Sequence, residues 1–129
     1  MKVIWVNGCF DILHRGHVEL FKYAKSLGEF LVVGIDGDKR IKETKGPERP
    51  VNNRRDRQFF LESIRYIDEV VAFDNDTELE NWIEFYQPDA LVVGAEYKTK
   101  GVIGSEHAKK IEYFDRVGEY STTNILERK

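Results

Sequence analysis

The sequence predicts one doubly wound α/β domain, spanning residues 1–129, with a five-stranded parallel sheet. Short apolar runs rich in β-branched residues alternate with helical patterns along the chain. Several of these runs are apolar throughout, as expected of strands that are covered on both faces. The length of 129 residues is that of a single domain. Because strands that alternate with helices form right-handed parallel units, we expect helices on both faces of one sheet.

The first strand and helix enclose the most distinctive stretch of the chain. The strand begins at Val3 and leads through a glycine-marked turn to His14-Arg15-Gly16-His17, where a helical spacing of apolar residues begins. Such a turn directs backbone N–H groups and the positive helix end to one point, which favours an anion. His14 and His17 share a face of the first helical turn. Phosphate is the expected anion, with two histidines as donors in a transition state.

The remaining elements follow by the same criteria. The expected strands are 30–35, 69–73, 90–94 and 111–114, and the expected helices are 39–45, 54–66, 78–86 and 104–110. Asn52 or Asn53 is expected to cap the helix 54–66, and Thr77 the helix 78–86. The apolar positions expected to face the core from helix 54–66 and just beyond it are Phe59, Phe60, Ile64 and Ile67.

Composition and charge exclude several classes of protein. We expect a cytoplasmic protein with no membrane partner, because the chain has no apolar run near the roughly 20 residues of a membrane span and no cleavable signal pattern. The one cysteine, Cys9, forbids an internal disulfide. Segment 39–57 carries eight basic and three acidic residues in a chain of net charge −3. This asymmetry indicates a local anion site rather than a nucleic-acid surface.

Residues 8–17, Gly-Cys-Phe-Asp-Ile-Leu-His-Arg-Gly-His, resemble the GxFDxxHxGH signature of the cytidylyltransferase-like nucleotidyltransferases. Further stretches are similar to the adenylyltransferase domain of bacterial ADP-heptose synthases: 45–47, 49–52, Arg57, Arg65, Gly94 with 96–98, and 121–125. The length, segment 64–70 and Ser121-Thr122-Thr123 also resemble glycerol-3-phosphate cytidylyltransferase. These resemblances imply a Rossmann-like fold and the transfer of a nucleoside monophosphate to a phosphorylated acceptor, with release of pyrophosphate.

The resemblance also implies roles for individual residues. Those implied in catalysis are His14, His17 and Lys45, and those implied at the nucleotide are Gly8, Cys9, Phe10, Asp11, Gly16, Arg65, Gly94, Glu96, Ser121, Thr122 and Thr123. Lys45 and Arg57 would bind the substrate phosphate. Where the family commonly has Asp after the fourth strand's glycines, this chain has Ala95-Glu96. The implied cofactor is Mg²⁺, held mainly by nucleotide phosphates without a dedicated protein site, and the implied assembly is a homodimer.

Three functions follow from these observations. The leading one is transfer of AMP from ATP to D-glycero-β-D-manno-heptose 1-phosphate. A cytidylyltransferase acting on glycerol 3-phosphate or another polyol phosphate shares the fold and the reaction. A non-catalytic nucleotide-binding module is the third, and the complete set of histidines, Lys45 and hydroxyl-bearing residues argues against it.

Overall fold

All five predicted strands lie in one parallel sheet in the computed structural model, which describes residues 1–115. The strands are β1 Val3–Gly8, β2 Phe30–Asp36, β3 Glu69–Phe73, β4 Ala90–Gly94 and β5 Ile111–Phe114. Their order is β3-β2-β1-β4-β5. The chain winds outward on one side of β1 and then returns to its other side, so the predicted doubly wound α/β fold is confirmed.

The helices of the described part are α1 Arg15–Ser26, α2 Asp38–Lys45, α3 Arg54–Glu62 and α4 Asp76–Tyr86. Two short 3₁₀ turns, Ala95–Thr99 and Ser105–His107, follow β4. None of these helices is long and apolar enough to cross a membrane.

Each face of the sheet has its own core. Alternate residues of a strand point to opposite faces, so Ile4 packs with Phe21 of α1 and Leu61 of α3, whereas Trp5 packs with the buried side chains of α4. The α4 side chains are Leu79 and Ile83. The two helical layers cover both faces of β1 and β2, which explains why these strands are almost uninterrupted apolar runs.

The structure corrects the prediction for the third helix. Helix α3 ends at Glu62, and the N–H of Ser63 and of Ile64 then bond three residues back, to Phe60 and Leu61. Phe59 and Phe60 are 66% and 45% exposed, so the prediction that they face the core is wrong. The buried positions of α3 are Arg57 and Leu61, one turn apart. The charged side chain of Arg57 therefore lies on the buried face of α3, where the apolar pattern predicts phenylalanine.

Three smaller expectations were resolved or overturned. Asn53 is the cap of α3, and its side chain accepts a hydrogen bond from the N–H of Asp56 at 2.9 Å. Helix α4 begins earlier than predicted, because Asn75 rather than Thr77 caps it by accepting from the N–H of Glu78. The predicted helix 104–110 is only the 3₁₀ turn Ser105–His107.

Candidate active site

A cavity of about 520 Å³ opens at the carboxyl ends of β1, β4 and β5, beside the start of α1. This is the switch point of the sheet, where the connections from β1 and β4 diverge and where ligands of such folds bind. The cavity brings together nine of the sequence-predicted site residues: Gly8, Cys9, Phe10, His14, Gly16, His17, Lys45, Gly94 and Glu96. The predicted Ser121, Thr122 and Thr123 lie outside the described residues.

The two histidines form a stacked pair at the start of α1. Their ring centroids are 3.8 Å apart and the ring planes differ by 22°. The backbone N–H of His14 donates to Nδ1 of His17 at 3.2 Å. Because Nδ1 accepts, Nε2 of a neutral His17 carries the ring proton and can donate to an anion. The pair therefore lies where the positive end of the helix already attracts negative charge.

Phe10 fixes the turn between β1 and α1. Its backbone is left-handed, with φ of +47°, and its ring is buried between Phe21, at 5.1 Å, and His17, at 5.3 Å, both as edge contacts. A Cβ on Gly8 would lie 3.0 Å from the Phe10 ring, tighter than ordinary van der Waals contact. Gly8 thus leaves room for the Phe10 ring, which packs against the imidazole of His17.

Asp11 ties the first loop to the basic loop after α2. Its buried carboxylate accepts from the backbone N–H groups of Val51 and Asn52, each at 2.8 Å, and from Nε of Arg49 at 3.0 Å. Burial alone would raise the pKa of Asp11, but the hydrogen bonds from Asn52, Val51 and Arg49 outweigh it and hold the pKa below its usual value. Asp11 does not line the cavity, so its contacts are those of a residue that positions loops.

Arg57 is 1% exposed and does not reach the cavity. Its guanidinium donates to the backbone oxygens of Cys9, Asp36 and Asn52 and to the carboxylate of Asp38, at 2.7–3.0 Å. It therefore joins three loop segments at the carboxyl edge of the sheet. This position corrects the prediction of a side chain that reaches the substrate phosphate, since all three guanidinium nitrogens are engaged within the protein.

Arg65 is also outside the cavity lining. It follows the end of α3, stacks over the Tyr66 ring at 5.0 Å, and donates to the Tyr66 hydroxyl at 3.0 Å. Arg57 and Arg65 do not lie on one helix, because α3 ends at Glu62. The structure does not bring Arg65 to the other predicted site residues.

Arg40 lines the cavity and was missed as a site residue by the sequence reasoning. Its guanidinium is held by the carboxylates of Asp36, at 2.8 Å, and Asp76, at 2.7 Å, and lies over the Phe73 ring. Burial raises the pKa of Asp36 despite the nearby positive charges of Arg40, Arg57 and Lys45. The available signal was the basic segment 39–57, which contains Arg40 and indicated a local anion site.

Glu96, which stands where the resemblance implies an aspartate, lines the cavity just after β4. Its carboxylate folds back on Gly94, where a Cβ would come within 2.3 Å of a carboxylate oxygen. The cavity wall then continues through Tyr97 and the segment 101–103, none of which the sequence reasoning placed in the site. Their apolar surface suits a flat base or a sugar ring.

The strand order and the cavity at the switch point define a Rossmann-like α/β protein, in which a glycine-marked turn and two histidines lie beside the cavity. Comparison with known proteins is more specific: residues 5–128 match the cytidylyltransferase-like family, so the chain belongs to that family. The chain is 46% identical to the bifunctional protein HldE of Campylobacter fetus subsp. fetus over 126 residues, and 44% identical to that of Helicobacter pylori over 127 residues. The matched region covers 98% of this chain but only 27% of the length of either relative.

Solved structures agree on the fold. A lipopolysaccharide core biosynthesis protein from Thermoplasma volcanium superposes with a TM-score of 0.70 at 22% identity, covering 94% of this chain and 99% of that one. Pantothenate synthetase from Thermus thermophilus gives a TM-score of 0.62 at 16% identity, covering 97% of this chain and 61% of that one. Membership of this family makes the chain a nucleotidyltransferase.

Proposed function

We propose that the chain transfers AMP from ATP to D-glycero-β-D-manno-heptose 1-phosphate, giving an ADP-heptose and pyrophosphate. The observation that carries the proposal is the stacked His14–His17 pair, at 3.8 Å between centroids, at the phosphate end of the cavity. The choice of acceptor is supported by the resemblance to ADP-heptose synthases and by the similarity to the bifunctional HldE proteins. The polyol-phosphate cytidylyltransferase remains the alternative that the experiment below must separate.

The reaction needs positioning and charge neutralisation more than proton transfer. An oxygen of the acceptor phosphate forms a bond to the α-phosphorus of ATP, and the bond from that phosphorus to the bridging oxygen breaks as pyrophosphate leaves with the electron pair. The attacking oxygen is already anionic, so a strong general base is not required. In this proposal Nε2 of His17 donates to an oxygen of the reacting phosphate, and the stacked ring of His14 lies beside it.

Two cationic side chains, Lys45 and Arg40, line the same cavity as the histidines. Lys45 is the last residue of α2 and is exposed, so its long side chain can follow phosphates as they enter. Arg40 is held rigidly between Asp36 and Asp76 one turn earlier. We assign Lys45 to the phosphates of the two substrates, and we assign Arg40, which is paired with two carboxylates, to holding this wall of the cavity in place.

The described lining residues fit a magnesium ion that the nucleotide brings with it. Within residues 1–115, Glu96 is the one lining residue with a carboxylate. Mg²⁺ requires an octahedron of oxygens and commonly takes them from phosphates, waters and one or two carboxylates. Glu96 is therefore the candidate protein ligand, and the bound ion would offset charge on the phosphates.

Pyrophosphate release from ATP or CTP, each with heptose 1-phosphate or glycerol 3-phosphate and Mg²⁺, tests the proposal. Turnover that requires ATP and heptose 1-phosphate is the expected result. Turnover with CTP and glycerol 3-phosphate would instead establish the polyol-phosphate reaction. If nucleotide binds but no pair of substrates turns over, the chain is a binding module and the proposed function is wrong.

A further inference from the structure

Outside the cavity, one imidazole nitrogen meets three carboxylates. Nε2 of His107 lies 3.2 Å from an oxygen of Glu80 and 3.5 Å from an oxygen of each of Glu84 and Glu106. Glu80 and Glu84 are one turn apart on α4, whereas Glu106 and His107 belong to the 3₁₀ turn Ser105–His107. None of the four lines the catalytic cavity. We propose that this cluster binds a divalent transition-metal ion with the ligand preferences of zinc.

The spacing of the ligand atoms fits such an ion. Zinc bonds to nitrogen and carboxylate oxygen at about 2.0–2.2 Å in a tetrahedron, which places the ligand atoms roughly 3.3–3.5 Å from one another. The three distances from His107 Nε2, 3.2, 3.5 and 3.5 Å, match this tetrahedral edge. The ligand atoms of Glu80, Glu106 and His107 all lie within 4.8 Å of one another. These three are the assigned ligands, and Glu84 or a water completes the tetrahedron.

The charge of the cluster also favours a cation. The imidazole carries at most one hydrogen at Nε2, although three carboxylate oxygens approach that atom. An imidazole ligand selects zinc-like ions over Mg²⁺ and Ca²⁺, which prefer oxygen alone.

The backbone brings the two halves of the cluster together without help from an ion. Gly104 has φ of +84°, and a Cβ there would lie 2.6 Å from the Ile83 side chain of α4. Only glycine allows this approach, which places the 3₁₀ turn directly against the helix. The His107 side chain is 19% exposed, so its ring is largely packed before any metal binds. Metal binding would therefore need only small rotations of the glutamate side chains.

A bound ion would also affect the catalytic cavity, because short stretches of backbone connect the cluster to the cavity wall. Residues 101–103 line that cavity and lie three to five residues before Glu106, while Leu79, another lining residue, precedes Glu80. Linking the 3₁₀ turn to α4 would hold this wall in place. We expect slower amide hydrogen exchange across 101–108 when the ion is bound.

Titration of the metal-stripped full chain with Zn²⁺, followed by calorimetry, tests the proposal. We expect one ion per chain and a rise of several degrees in Tm at a free concentration about 100 times Kd. His107→Gln should weaken binding by more than about tenfold, and Glu80→Gln should weaken it as well. Co²⁺ should give the visible spectrum of a tetrahedral site in the unmodified protein and lose it in His107→Gln.

The chain's two other histidines provide the matched control, since it has three in all. His14→Gln and His17→Gln should keep the zinc affinity of the unmodified protein. If zinc binding survives His107→Gln but is lost in His17→Gln, the ion binds in the catalytic cavity and the proposal is wrong. It is equally wrong if the unmodified chain binds neither Zn²⁺ nor Co²⁺. In the presence of a chelator, the variants should have the same Tm as the unmodified protein. This result would show that a variant that fails to bind zinc is still folded.

Discussion

Replacing Arg57 with methionine tests whether this residue stabilises the fold or binds substrate. Methionine keeps an unbranched apolar stem but supplies no donor to the four groups that the guanidinium contacts. Three of these groups are backbone oxygens, of Cys9, Asp36 and Asn52, in partly buried positions. In the variant these three oxygens lose their hydrogen-bond donor, and the methionine side chain supplies no other.

The expected cost follows from those contacts. Each partly buried carbonyl that loses its hydrogen bond costs about 1 kcal/mol. The Asp38 carboxylate is 40% exposed, so water replaces its partner at little cost. We therefore expect Arg57→Met to lower the free energy of unfolding by about 3 kcal/mol, a large part of the roughly 5–15 kcal/mol of a typical domain.

Equilibrium urea unfolding of the variant and its parent measures this difference. Arg54→Met is the matched control, because Arg54 is an exposed residue on the same helix whose contact is with the neighbouring Gln58. The control should stay within about 0.5 kcal/mol of the parent. If Arg57→Met is as stable as the control while pyrophosphate release falls about a hundredfold, the residue binds substrate and the structural reasoning is refuted.

Three further predictions concern the site and its loops. His17→Ala should lower turnover by about a hundredfold or more with the fold intact, and near-parental turnover would contradict its role. Lys45→Ala should raise KM for the substrates, whereas the exposed Lys42→Ala on the same helix should not; equal effects would remove Lys45 from the site. Asp11→Asn should cost about 2 kcal/mol in urea unfolding at neutral pH. Since folding lowers the pKa of Asp11, this difference is fully present above about pH 4 and shrinks as the pH falls further; a pH-independent difference would contradict it.

The sheet and the location of the site could be predicted because local patterns determine them. Five apolar runs gave five strands, and β2 differs from its predicted range only by the addition of Asp36. The cavity lies at the carboxyl edge of the sheet because the order of strands reverses at β1 and β4. The sequence indicated this edge through His14-Arg15-Gly16-His17, whose spacing is local to one helical turn.

The orientation of α3 could not be predicted, because it depends on groups that are distant in sequence. An apolar pattern assigns Phe59 and Phe60 to the core and arginine to the surface. In the structure, backbone oxygens at Cys9 and Asp36 lie where they can accept from Arg57, and they turn that face of the helix inward. The two phenylalanines then face outward. Nothing in the residues of α3 alone specifies the position of those oxygens.

The same reasoning explains why the basic segment 39–57 was read as a single anion site. Of its eight basic residues, Arg49 binds the Asp11 carboxylate and Arg57 is buried among backbone oxygens, whereas Arg40 and Lys45 line the cavity. Positive charge in a sequence indicates attraction for anions, but the protein itself supplies some of those anions and dipoles. Two arginines thus hold the loops that shape the cavity. Of the two basic residues of this segment that line the cavity, Arg40 is itself paired with Asp36 and Asp76, whereas Lys45 is the exposed last residue of α2.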